Sequence, residues 1–128
     1  MTSAEFKMIR RLLGITTDDV AATFNVALRS ARRWETTHQP PQGVADWLRG
    51  KLAAAKTTVY EMLEHIEAEA QANPDYVATL PMYRTDEHAQ AALGPDTTKE
   101  QHAAIMGLVA FLADDDLELT AEYITQDD

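Results

Sequence analysis

Residues 15–41 read ITTDDVAATFNVALRSARRWETTHQPP, and this stretch decides the fold of the N-terminal part. Thr16 or Thr17 is placed to cap a helix, with Asp18 and Asp19 in its first turn, where acids suit the helix dipole. Val20, Ala21 and Phe24 supply its inner side. Asn25 falls where the chain must turn sharply, and asparagine tolerates a left-handed backbone better than most residues. A further helix is predicted from about residue 27 to residue 35, with Val26, Ala31 and Trp34 inward. Pro40 and Pro41 close the unit. Trp34 lies at core spacing and reads as packing rather than as a stacking platform.

Working outward, Thr2 and Glu5 form a capping-box pattern ahead of a first helix. Phe6, Ile9, Leu12 and Leu13 are expected on its buried face, and Lys7, Arg10 and Arg11 on the other. Gly14 ends it. After the prolines a long helix is predicted over residues 42–72, stopped by Asn73-Pro74, with Gly50 a candidate bend. Leu48, Leu52, Ala55, Val59, Met62 and Ile66 recur at alternating intervals of four and three, a heptad-like seam that suits a dimer-forming helix. The tail is different. Residues 76–83 are β-prone, with Pro81 marking an edge strand or its end. A short helix over 86–93 stops at Gly94-Pro95, and Thr97 with Glu100 opens an apolar helix over 99–113. Leu117, Leu119, Ala121 and Tyr123 then alternate with polar residues, as in a half-buried strand. The two strands are placed to pair into one small sheet.

The fold expected is therefore mainly α. An N-terminal bundle (1–41) runs through a connecting or dimerisation helix (42–73) into an acidic α+β region (74–128) of two strands and two helices, for dimerisation or effector binding. The 128 residues suffice for one compact domain or two small ones sharing a core. There is no cysteine, which excludes disulfides and thiolate metal sites. The N-terminal residues contain no apolar signal region, and no apolar run approaches the length of a membrane span. A cytoplasmic protein is expected.

Charge is unevenly spread. The net formal charge is −10, yet residues 1–56 hold nine bases against five acids, and residues 57–128 hold two bases against sixteen acids. A positive N-terminal part attached to an acidic remainder suits a polyanionic partner for the first half. The four histidines, His38, His65, His88 and His102, have no metal-ligand spacing. Asp114, Asp115, Asp116 and Glu118 lack the glycine and frame of a calcium loop and read as a charged turn. No phosphate loop, nucleophile elbow or paired-carboxylate frame is visible, so no catalysis, cofactor or metal is expected.

Ala21, Asn25, Val26, Ala31 and Trp34 stand at the positions a helix-turn-helix needs: a small residue for close crossing, a turn residue four later, and apolar anchors. The stretch resembles the lambda-repressor-like (Cro/cI, XRE) helix-turn-helix family over about the first half of the chain. More narrowly, RSARRWE, the long-helix continuation, LPMY and LELTAEY resemble YdiL-like and anti-CRISPR-associated regulators. Three departures stand out. Asn25 replaces the usual glycine, and Thr36-Thr37 replace a small residue plus glycine. Ala27 replaces a serine or threonine cap, a loss of about 1 kcal/mol.

The resemblance implies roles. Leu28, Arg29 and Arg33 would read base edges, with Arg32 beside them reading a base or clamping a phosphate. Thr17, then Ser30 and Thr36, would touch phosphates. Arg10 would pair with Glu35 as a structural contact, leaving Lys7 and Arg11 solvated or phosphate-facing. The function implied is a sequence-specific DNA-binding regulator, a repressor of a nearby promoter. It would be a homodimer on an inverted repeat in double-stranded DNA, with half-sites about 34 Å apart or a multiple of that. The acidic half would supply the dimer contact and repel non-specific DNA. Two further readings come from other classes. One is an antitoxin-like module whose acidic half neutralises a basic protein partner. The other is a ligand sensor whose tail encloses a small molecule.

Overall fold

The computed structural model describes residues 1–125. It is mainly helical, with six helices and one two-stranded parallel sheet among those residues. In order these are α1 (Ser3–Leu12), α2 (Thr17–Phe24), α3 (Leu28–Arg33), α4 (Gln42–Ala72), β1 (Val77–Met82), α5 (Asp86–Leu93), α6 (Lys99–Leu112) and β2 (Glu118–Tyr123). No helix among the described residues is long and apolar enough to cross a membrane.

The chain divides into two compact units at residues 55 and 56, inside α4, rather than at the ends of that helix. A continuous helix carries no punctuation at such a boundary. Its first half completes one core and its second half another.

In the first unit, α1 opens on a complete capping box. Glu5 N–H donates to the Thr2 hydroxyl at 3.0 Å, and Thr2 N–H donates to the Glu5 carboxylate at 3.1 Å. The Thr2 backbone N–H foremost, and then the Thr2 hydroxyl, hold the Glu5 carboxyl below its usual range. Helix α1 ends in a Schellman motif with Gly14 at φ 69°. Ile15 N–H reaches Arg10 O at 3.0 Å and Gly14 N–H reaches Arg11 O at 3.2 Å. Phe6, Ile9, Leu13, Ile15, Val20, Ala21, Ala31, Val44, Ala45 and Leu48 are buried here. Phe6 and Leu48 are fully enclosed, each contributing about 1.5–3 kcal/mol by the area it removes from water. Leu12, expected inward, is 46 % exposed. At about 100° per residue, Phe6, Ile9 and Leu13 fall within about 60° of one another, whereas Leu12 lies about 100° from Leu13, at the margin of the buried face.

In the second unit, Val59, Leu63 and Ile66 of α4 pack with Ala78 and Leu80 of β1 and Met106 and Val109 of α6. The seam of α4 is thus largely consumed by the chain itself: Leu48, Ala55, Val59 and Ile66 are buried without a second copy. Strands β1 and β2 run parallel, with Val77 opposite Glu118 and Met82 opposite Tyr123, and α5 and α6 form the long crossover a parallel pair requires. Thr85 caps α5. Thr98, not Thr97, caps α6, with Gln101 N–H on its hydroxyl at 3.1 Å. Lys99 N–H donates to the Asp86 carboxylate at 3.0 Å and ties the two helix starts together. β2 is not the half-buried strand its alternation predicts. Only Leu119 is partly covered.

Candidate nucleic-acid interface

The start of α3 is positioned by local contacts. Thr16, rather than Thr17, is the N-cap of α2. Its hydroxyl accepts Asp19 N–H at 3.0 Å, and the Asp19 carboxylate accepts Thr16 N–H at 2.9 Å. Helix α2 ends at Asn25 with φ 52° and ψ 50°, the one left-handed residue other than glycine among those described. Val26 N–H reaches Ala21 O at 3.0 Å and Asn25 N–H reaches Ala22 O at 3.4 Å, a second Schellman motif. It redirects the chain within two residues. Ala27 then starts α3 in extended conformation with no side-chain hydrogen bond to cap it.

Helix α3 has six residues, and Ala31 is its fully buried anchor. At about 100° per residue, Arg29, Arg32 and Arg33 span an arc of about 100° on the side away from Ala31. All three are exposed, and among the described residues none has an acidic partner. Leu28, on the edge of the same arc, is half-buried, as is Ser30.

Arg10 and Glu35 brace the far end of α3. Arg10 Nη2 lies 2.8 Å from Glu35 Oε2, Nε donates to the same oxygen at 3.0 Å, and Nη1 donates to Ile15 O at 2.8 Å. One guanidinium thus joins α1, the turn after it and the end of α3. Trp34 sits edge-on to Phe6 at 6.4 Å between ring centroids, so it is half-buried packing. Beyond it, the Thr37 and His38 N–H groups converge on Arg33 O at 3.0 and 2.9 Å. Ser3 donates its hydroxyl to His38 O at 3.0 Å and fastens this loop to α1.

The expected phosphate contacts fare unequally. Thr36 already donates its hydroxyl to Arg32 O at 3.2 Å, so its proton is spent on the helix end. Thr17 is half-buried at the first position of α2, beside the carboxylates of Asp18 and Asp19, which set negative charge near any phosphate there. A contact absent from the sequence reading is Lys51, which lies over the Trp47 ring at 5.7 Å, while Trp47 meets Phe24 edge-on at 5.3 Å. The four-residue spacing of Trp47 and Lys51 on one helix was the available signal.

The second unit offers a different surface. A cleft of about 320 Å³ is lined by Glu67, Asp114, Asp116 and Glu118 together with Tyr76 and Leu117. It is polar and acidic, unlike the apolar pocket a small-molecule sensor would use. No group of residues suited to hold a metal ion occurs among the described residues. Compared with known proteins, the chain matches no family model, and it matches no curated protein.

Proposed function

We propose that this chain is a sequence-specific DNA-binding transcriptional regulator, a repressor of the lambda-repressor-like helix-turn-helix kind, acting as a homodimer on an inverted repeat. The observation that carries the reading is the exposed arginine face of α3, without an acidic partner among the described residues, aimed outward from a braced turn in the one positively charged part of an otherwise acidic chain. Guanidinium groups in that arrangement suit the O6 and N7 acceptors of guanine in the major groove, each good pair discriminating by about 1–3 kcal/mol. Arg10 and Glu35 serve as a brace rather than as contacts, and Ser30 and Thr17 are the remaining phosphate candidates.

The test is selection of bound fragments from a genomic DNA library by the full chain at low salt, followed by titration with salt. A consensus with twofold symmetry and an affinity that falls steeply with salt are expected. No enriched fragment, or an affinity indifferent to salt, overturns the reading.

The acidic cleft favours a second reading, in which the C-terminal half binds a basic protein as an antitoxin does. Glu67→Gln with Asp116→Asn would then abolish capture of that partner while leaving DNA binding intact.

A further inference from the structure

The two-stranded sheet has two free edges, and they are not equivalent. In a parallel pair, the N–H and C=O groups of alternate residues point to the partner strand. Ile124 N–H donates to Met82 O at 2.9 Å, so Met82, Leu80 and Ala78 turn their backbone groups toward β2. Pro81, Thr79 and Val77 turn theirs to the free edge of β1. That edge is blunted at Pro81. Proline has no N–H, and its carbonyl accepts from His102 Nε2 at 2.6 Å. A carbonyl only accepts, which fixes the proton on Nε2.

Strand β2 has no such stopper. The same alternation leaves the backbone groups of Leu119, Ala121 and Tyr123 on its free edge. Their side chains share the face of Ala78, Leu80 and Met82, toward which the core is built. Yet Ala121 is exposed and Tyr123 is 51 % exposed, its ring held under the Arg84 guanidinium at 4.0 Å. An alternation suited to burial, on an open edge, is left uncovered by the described residues.

We propose that β2 pairs with β2 of a second copy of this chain, antiparallel about a twofold axis at Ala121, joining two small sheets into one of four strands. This deepens the homodimer reading and rests on it for the twofold symmetry. Avoidance of like-charge contacts selects the register. With the axis at Ala121, Leu119 opposes Tyr123, Ala121 opposes its own counterpart, and Thr120 opposes Glu122. The hydrogen-bonded pairs are then those whose backbone groups already face outward. With the axis at Thr120, Glu118 opposes Glu122 twice, and with the axis at Glu122 that carboxylate opposes itself. Like charges directly opposite destabilise a strand pair, and this part of the chain already has a large excess of acids.

The test is sedimentation equilibrium of the full chain in the absence of DNA. A dimer is expected. Thr120→Lys places a cation opposite Glu122 and tightens it, while Thr120→Glu loosens it, each by about two- to thirty-fold over the two symmetric pairs. Ala121→Pro removes an outward N–H without costing a bond to β1 and yields a monomer, with circular dichroism checking that it is folded. A wild-type chain that stays monomeric overturns the proposal. So does a dimer loosened by both Thr120 variants, which puts Thr120 on the axis. A dimer indifferent to them but dissolved by Phe111→Ala, at the 83 % exposed ring on α6, also overturns it. Because no DNA is present, a failure here is distinct from a failure to find an operator.

Discussion

Arg10 and Glu35 meet at 2.8 Å with only 12 % and 15 % of their side chains exposed, although 25 residues separate them. The pair fixes where α3 ends relative to α1, and Arg10 also satisfies the Ile15 carbonyl. Removing one partner strands the other in a poorly solvated place. Glu35→Ala is expected to cost about 2 kcal/mol and Arg10→Ala about 3 kcal/mol, because the second also orphans a carbonyl. The double variant should cost less than the sum of the two. Urea unfolding of the three variants checks this. Simple additivity would mean that the pair contributes nothing as a pair.

Asn25 stands at φ 52°, where a Cβ without a local hydrogen-bonding group is disfavoured. Asn25→Ala should destabilise by about 1 kcal/mol and Asn25→Gly should be neutral or mildly stabilising. Thermal unfolding midpoints distinguish the two. The same loss from both would place the role of Asn25 in its side chain.

Ala27 has the extended backbone of an N-cap, φ −67° and ψ 146°, but no side-chain oxygen. Ala27→Ser should therefore stabilise by about 1 kcal/mol. A chemical denaturation curve with an unchanged slope and a raised midpoint is the expected result. A lowered midpoint would show that the small alanine is needed for packing.

The turn between α2 and α3 was legible because short-range chemistry dictates it: a capping threonine, two acids, and asparagine at the reversal. The Arg10–Glu35 contact was implied by resemblance alone, since nothing local joins residues so far apart. Other features were ambiguous in principle. Thr97 with Glu100 and Thr98 with Gln101 are overlapping capping signatures, and only the backbone selects Thr98. The seam of α4 reads the same whether a second copy or the chain itself covers it, and the chain covers most of it. Strand β2 shows the reverse: its alternation announces burial that the described residues do not provide.

Base reading and phosphate contact separate experimentally. Arg29→Ala and Arg33→Ala are expected to relax preference at particular base positions, each by about 1–3 kcal/mol of discrimination. Thr17→Ala should weaken all sequences alike. Binding to a panel of single-base operator variants reads both effects. The opposite pattern would exchange the roles assigned to α2 and α3.

His102 is 7 % exposed and donates from Nε2 to Pro81 O, with the Tyr83 ring 5.0 Å away between centroids and His88 on the same ring at 4.9 Å. Two effects follow from removing the imidazole. The Pro81 carbonyl loses its donor, and the cavity left in the second unit is lined by an aromatic ring. His102→Ala should cost about 2–4 kcal/mol. His102→Gln can still donate to that carbonyl and should recover part of the loss, whereas His102→Leu, which fills space without a donor, should recover less. If leucine proves as good as glutamine, packing against Tyr83 rather than the bond to Pro81 is what holds α6 against β1.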